Sequence, residues 1–214
     1  MRNPSGTTAS AGPPFADDLR EAIRLRDDPH FDRIYPAAVR DASAIHWTPI
    51  AIALRAIEFL VRTPDTRVLD IGSGPGKFSL VGALTTSAHF SGIEQRPYLA
   101  DLAQKRMAQA GLSNATSIEG DVLNLDFSRF DAFYLFNPFG VDVGEAPAID
   151  DSIPICERRY ERCIDYVAHQ LSRARDGTRV VTYWGICNEL PASYRIVEDS
   201  GVEPLRLWEK RRRR

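Results

Sequence analysis

The sequence predicts an α/β fold: one doubly wound, mostly parallel sheet between helices, with extra helices on its N-terminal side. Three observations carry this. β-type runs and helical patterns take turns from Arg67 to Glu209, and such alternation needs crossover connections that keep successive strands parallel. Between the first of these runs and the helix after it stand Gly72, Gly74 and Gly76, which turn the chain tightly at a strand's carboxyl end. The size and composition, 214 residues with 43% hydrophobic and 26% charged, suit one globular domain with one core.

The elements follow in order. Residues 1–14, MRNPSGTTASAGPP, contain no apolar stretch and read as a flexible leader rather than a secretory signal, which predicts a cytoplasmic protein. Phe15–Arg26 and Ile34–Arg40 carry short helical patterns. A clearer helix opens with Thr48 as cap and Pro49 in the first turn, and it places Ile50, Ala53, Leu54, Ile57, Leu60 and Val61 on one face before Thr63-Pro64 stops it. Arg67–Ile71 is a strand and Lys77–Leu84 a helix. Strand His89–Glu94, helix Pro97–Ala110 and strand Ala115–Glu119 repeat the unit. Asp131–Phe136 is almost wholly apolar, as a strand buried on both faces should be, and a loop with the acids Asp142, Glu145, Asp150 and Asp151 follows it. A long helix over Pro154–Ala174 turns Tyr160, Cys163, Ile164, Val167 and Leu171 inward. Thr178–Trp184 is a fifth strand, Pro191–Ser200 a short helix and Val202–Glu209 a last strand. The expected organisation is a single domain over residues 15–210 with a helical extension over 15–63, ending in a basic tail at 211–214.

Composition narrows the function classes. The net charge is −2, so no overall field draws the chain to nucleic acid or an anionic membrane. The longest apolar run, Ile50–Val61, is broken by Arg55 and Glu58 and falls short of the roughly 20 residues that cross a bilayer. Cys156, Cys163 and Cys187 form no C-x-x-C pair, and His30, His46, His89 and His169 share no ligand spacing. Reduced, mostly buried thiols and no metal are expected.

The chemistry is concentrated in Val68-Leu69-Asp70-Ile71-Gly72-Ser73-Gly74-Pro75-Gly76-Lys77-Phe78. Glycines here let a ligand approach the backbone, and the next helix offers free N–H groups. The spacing is G-x-G-x-G, not the G-x-G-x-x-G of pyrophosphate sites, and Asp70 precedes it. An acid there repels a pyrophosphate and suits a cationic amine. Glu94 ends the second strand 18 residues after Gly76, where a carboxylate can accept hydrogen bonds from both ribose hydroxyls. Asp121, after Gly120, is placed to accept from an exocyclic amine or simply to form a turn. Together these residues describe a pocket for an adenosine that bears an amino acid.

At these residues the chain resembles the class I S-adenosylmethionine-dependent methyltransferases, over roughly Thr48–Trp184, with VLDIGSGPGKFSL, GIEQ, EGD and FYLFNPFG as the four ordered motifs. The resemblance implies S-adenosylmethionine as cofactor. It puts Asp70, Gly72, Ser73, Gly74 and Gly76 around the methionine part, Glu94 with Gln95 at the ribose, Asp121 with Val122 at the adenine, and Asn137 beside the transferable methyl. The family sheet has seven strands. Too little chain follows Val202–Glu209 for a seventh, so the terminal antiparallel hairpin is expected to be incomplete.

Asn137-Pro138-Phe139-Gly140 looks like a shortened N-P-P-[YF] motif of amino methyltransferases and is also similar to a stretch of non-SET histone lysine methyltransferases. Asn137 is the expected acceptor orienter and Phe139 a packing wall. His46-Trp47-Thr48-Pro49 could fold over the cofactor, Tyr183 and Trp184 could line an acceptor pocket, and Lys210–Arg214 could meet phosphate. The expected activity is methyl transfer to a small molecule or an amine nitrogen, with nucleic acid the less favoured acceptor. The rivals are a nicotinamide (NAD)-dependent oxidoreductase, opposed by the glycine spacing and Asp70, and a non-catalytic nucleoside- or RNA-binding module.

Overall fold

The structure, a computed structural model, describes residues 14–41, 43–140, 152–154, 156–184, 190–201 and 204–212. Helices α1 (Pro14–Leu25), α2 (Asp28–Asp32), α3 (Ala37–Arg40), α4 (Ser43–His46) and α5 (Ile50–Leu60) precede the sheet. The alternating part runs β1 (Arg67–Ile71), α6 (Lys77–Thr85), β2 (His89–Glu94), α7 (Pro97–Gln109), β3 (Ala115–Glu119), β4 (Ala132–Phe136), α8 (Glu157–Arg173) and β5 (Arg179–Tyr183). β6 (Tyr194–Asp199) and β7 (Leu205–Lys210) close the sheet. Its strand order is β3-β2-β1-β4-β5-β7-β6, parallel throughout except for antiparallel β7, which pairs with both β5 and β6.

Pleating divides the core in two. Ala132 and Tyr134 of β4 face a cluster with α1, α5, α6 and α7, whereas Phe133 and Leu135 face a second cluster with Cys163, Val167 and Leu171 of α8. That double burial explains why β4 reads as an unbroken apolar run. It also fixes the carboxyl ends of β1, β2 and β4 side by side.

Three expectations are corrected. Pro191–Ser200 holds strand β6 rather than a helix, so the terminal hairpin is complete and the sheet has its seventh strand. β6 is an edge strand with only Tyr194 buried, and a register shift between Ile196 and Glu198 leaves Ile196 and Val197 both exposed. No period-2 apolar face therefore marks it in the sequence. The pattern over Ile34–Arg40 splits: Pro36 caps α3 with an extended ψ of 148°, so the helix starts at Ala37, and Pro36 biases Tyr35 before it away from helix. Finally, α5 starts at Ile50 with Pro49 extended at ψ 144°. Thr48 is not its cap: the Thr48 hydroxyl bonds the buried Tyr134 hydroxyl at 2.8 Å, and the Asp28 carboxylate accepts from the Ile50 N–H at 2.9 Å.

Candidate active site

The carboxyl ends of β1, β2 and β4 open into a cleft of about 810 Å³, counted out to open solvent. Gly72 and Gly74 of the β1–α6 turn stand on one wall, Glu94 and Gln95 at its floor, Gly120 and Val122 beyond them, and Asn137 and Phe139 opposite. Gly74 has φ +52°, and a Cβ there would meet nothing within 4 Å. Its left-handed backbone, not packing, calls for glycine, and this residue lines the cleft. Gly72 differs: at φ +75° an added Cβ would stand 2.7 Å from the Pro138 Cβ. The glycine turn and the Asn137-Pro138 turn thus touch directly.

Glu94 is 4% exposed and anchors the cleft. One carboxylate oxygen accepts from the Gly74 N–H at 2.9 Å and the other from the Arg96 N–H at 2.9 Å, while the Arg96 guanidinium lies 3.6 Å away. Each oxygen keeps a second lone-pair direction, and two vicinal hydroxyls can donate to such a carboxylate.

A smaller recess adjoins the cleft through His46, Trp47 and Gly72, and it holds Asp70 and Ser73. No hydrogen bond or ion pair reaches the Asp70 carboxyl among the described residues, and burial, with Glu94's charge adding, pushes its pKa up to about 8. The Ser73 Oγ and the Trp47 indole N–H are also buried without a partner there. Three orphaned polar groups around one recess are what a ligand's ammonium and carboxylate would satisfy. The residues present therefore fit the amino-acid end of S-adenosylmethionine.

Two of the expected contacts lie off these walls. Gly76, at φ +81°, packs on α7, where an added Cβ would meet the Ala103 Cβ at 2.8 Å. Asp121 accepts from the Leu123 N–H at 3.0 Å and lies 3.3 Å from the Arg159 guanidinium. It is Arg159, reaching in from α8, that lines the cleft. Arg96 and Arg159 escaped the sequence reading. Arg96 adjoins the second motif and was findable, whereas Arg159 arrives from a distant helix with no local signal.

The N-terminal helices are tied to the glycine turn by one cation. Lys77, 4% exposed, lies 2.6 Å from Asp28 and 2.7 Å from Asp32, with the faces of Phe31 and Trp47 within 6 Å. Burial raises the pKa of Asp32, and Lys77 works against that rise. This clamp holds Trp47 where it walls both the cleft and the recess.

On the acceptor side, Asn137 at φ +36° and Trp184 at φ +48° both take left-handed backbone at the ends of adjacent strands, strain that side-chain-bearing residues keep where position matters. Tyr183 is buried against Phe136 at 4.8 Å, whereas Trp184 is 55% exposed. The acids Asp142, Glu145, Asp150 and Asp151 lie outside the described residues, as does Cys187; Cys156 is exposed and Cys163 buried. Lys210 is not a tail cation. It is buried, and its ammonium donates to the carbonyls of Leu171, Ser172 and Ala174 at 3.3, 2.7 and 2.6 Å, closing the carboxyl end of α8. Among the described residues no helix is long and apolar enough to cross a membrane, and no three metal-ligating side chains cluster.

Residues 62–179 match the family described as a methyltransferase domain, more than half of the chain. The chain belongs to the class I S-adenosylmethionine-dependent methyltransferases. It is similar to the 23S rRNA (uracil(1939)-C(5))-methyltransferase RlmD of Klebsiella pneumoniae, with 41% identity over 71 residues, 31% of this chain and 16% of that protein. It is similar also to the protein-L-isoaspartate O-methyltransferase of Protochlamydia amoebophila, with 36% identity over 73 residues, 34% of each chain. The matched stretch is therefore at most about a third of either relative. An RNA methyltransferase from Salinibacter ruber, solved with S-adenosyl-L-homocysteine, shares the fold at a TM-score of 0.52 and 21% identity, over 78% of this chain and 95% of that one.

Proposed function

We propose that the protein binds S-adenosylmethionine in this cleft and methylates a small molecule or an amine nitrogen presented at Asn137. The observation that carries the reading is Glu94: a buried carboxylate at the end of β2, bonded to the glycine turn and open to the same cleft as Asn137 and Phe139. Glu94 with Gln95 would hold the ribose, Gly120, Val122 and Arg159 would surround the adenine, and Asp70, Ser73 and Trp47 would take the amino-acid end. When bound, the cofactor would supply an electrophilic methyl to the acceptor's lone pair, with a neutral thioether as the leaving group and the acceptor's proton passing to solvent.

The chain's own residues then have alignment and desolvation as their task. The Asn137 amide oxygen can accept from an acceptor's N–H or O–H, and its NH2 can donate to an acceptor oxygen. Its side chain folds over Gly140, where an added Cβ would collide with it. Phe139 and Trp47, both buried, wall the cleft. The test is incubation of the protein with methyl-labelled S-adenosylmethionine and a whole-cell extract. Label in a low-mass product supports the reading, and label confined to RNA or to protein other than at amines overturns it.

A further inference from the structure

A separate, open pocket lies between the N-terminal helices and the start of α6. It offers about 540 Å³, in the size range that holds a small molecule. Among the described residues it shares only Trp47 with the cofactor cleft, and only Trp47 and Lys77 with the Asp70 recess.

The charges that line it are unevenly matched. Arg33, just after α2, and Arg40, at the end of α3, both belong to its walls. Neither guanidinium makes a hydrogen bond or an ion pair among the described residues. Residues 1–13 and Ala42, the parts of this N-terminal stretch outside the described residues, include no acid that could match them. In the same pocket Asp28 and Asp32 share the single ammonium of Lys77, at 2.6 and 2.7 Å. One cation does not neutralise two carboxylates. The second oxygen of each acid makes no hydrogen bond among the described residues. Asp32, 5% exposed, keeps a raised pKa despite Lys77, because burial outweighs that one cation.

Unpaired guanidiniums call for an anionic group, and an under-neutralised pair of acids calls for a cationic one. A guest with a single charge would leave half of the pocket unmatched. The charge of Arg40 is felt at Asp32, so the two halves lie close together, which suits opposite charges carried a few bonds apart. Trp47 and Pro49 give the rest of such a guest an apolar wall.

We propose that this pocket binds a small zwitterion of the α-amino-acid class, with its carboxylate at Arg33 and Arg40 and its ammonium at the second oxygens of Asp28 and Asp32. The proposal is independent of the methyl-transfer reading above.

The test is a ligand-observed NMR titration of the full chain with three six-carbon probes: L-norleucine, hexanoate and hexylammonium. It is run in saturating S-adenosylhomocysteine, so that the Asp70 recess is filled. The expected result is norleucine binding at least tenfold tighter than either singly charged probe. Arg33→Gln and Arg40→Gln should each weaken norleucine about tenfold, the low end for a hydrogen bond to a charged group, and should keep S-adenosylhomocysteine affinity within twofold. Asp32→Asn should weaken norleucine without weakening hexanoate; if that variant fails to fold, the two arginine variants decide. Norleucine binding no tighter than hexanoate, or unchanged in both arginine variants, overturns the proposal. So does norleucine binding seen only without S-adenosylhomocysteine, which would place the amino acid in the cofactor recess. Failure of S-adenosylhomocysteine to bind would sink the cofactor reading alone, because the arginine variants still report this pocket without it.

Discussion

Asp70 should act as a proton switch for cofactor binding. In the folded protein without ligand its carboxyl is pushed from 3.8 up to about 8, first by burial and then by the charge of Glu94. At pH 7 about nine folded molecules in ten therefore hold the proton. An ammonium placed beside Asp70 favours the carboxylate and expels that proton, so binding at pH 7 should release about 0.9 proton per ligand. Titration calorimetry with S-adenosylhomocysteine in phosphate and in Tris at the same pH reads this directly, because the released proton is taken up by the buffer with its own heat. Affinity should also rise with pH from 6 to 8 and flatten above. Asp70→Asn should abolish both effects. The stability sign follows from the same shift: the folded-state pKa is raised, so the contribution is fully present below the unfolded value and is lost as pH rises through about 8. Asp70→Asn should therefore be more stable than the parent at pH 9, with the gap narrowing toward pH 5. Heats that do not depend on buffer, or that depend on it equally in Asp70→Asn, would refute the pairing of Asp70 with the ammonium.

Three further outcomes are expected. Glu94→Ala strands the buried N–H groups of Gly74 and Arg96, each at 2.9 Å from the carboxylate, and should cost about 2–6 kcal/mol of stability at about 1–3 per group; an unchanged melting temperature would mean the carboxylate does not hold the turn. Lys77→Met leaves Asp28 and Asp32 without their cation and should cost about 3–5 kcal/mol, a melting-point drop of about 6–20 °C for a chain of this size, with a drop under a few degrees counting against the clamp. Asn137→Ala should lower kcat about 100-fold while S-adenosylhomocysteine affinity changes little, and equal losses in both would make Asn137 structural.

The parallel part of the fold was legible because its signals are local. Arg67–Ile71, His89–Glu94 and Ala115–Glu119 begin and end where the sequence places them, each bounded by turn residues and each buried or paired along its length. What escaped depends on distant partners. β6 shows no apolar alternation because it lies at an edge. The start of α5 is capped by Asp28, 22 residues earlier, so its Thr48 looked like a cap when its hydroxyl belongs to Tyr134. Lys210 reads as part of a basic tail and is instead a lid on the α8 carbonyls, a role visible only once β7 lies beside that helix. At the site, the places of Gly72, Gly74 and Glu94 along the cleft could be read from spacing, whereas Gly76 serves the packing of α7. Arg159 could not be read this way, because α8 brings it to the cleft from the far side of the acceptor turn.

The central claim is that the β1–β2–β4 cleft is built for S-adenosylmethionine rather than for a dinucleotide. Calorimetric titration of the purified protein with S-adenosylhomocysteine and, separately, with NAD tests it most directly. The account predicts saturable binding of S-adenosylhomocysteine that Glu94→Ala weakens by about 1.5–3 kcal/mol, the range for hydrogen bonds to a charged group, and no heat with NAD. Saturable binding of NAD, with none of S-adenosylhomocysteine up to about a millimolar, the level at which binding is worth about 4 kcal/mol, would contradict it.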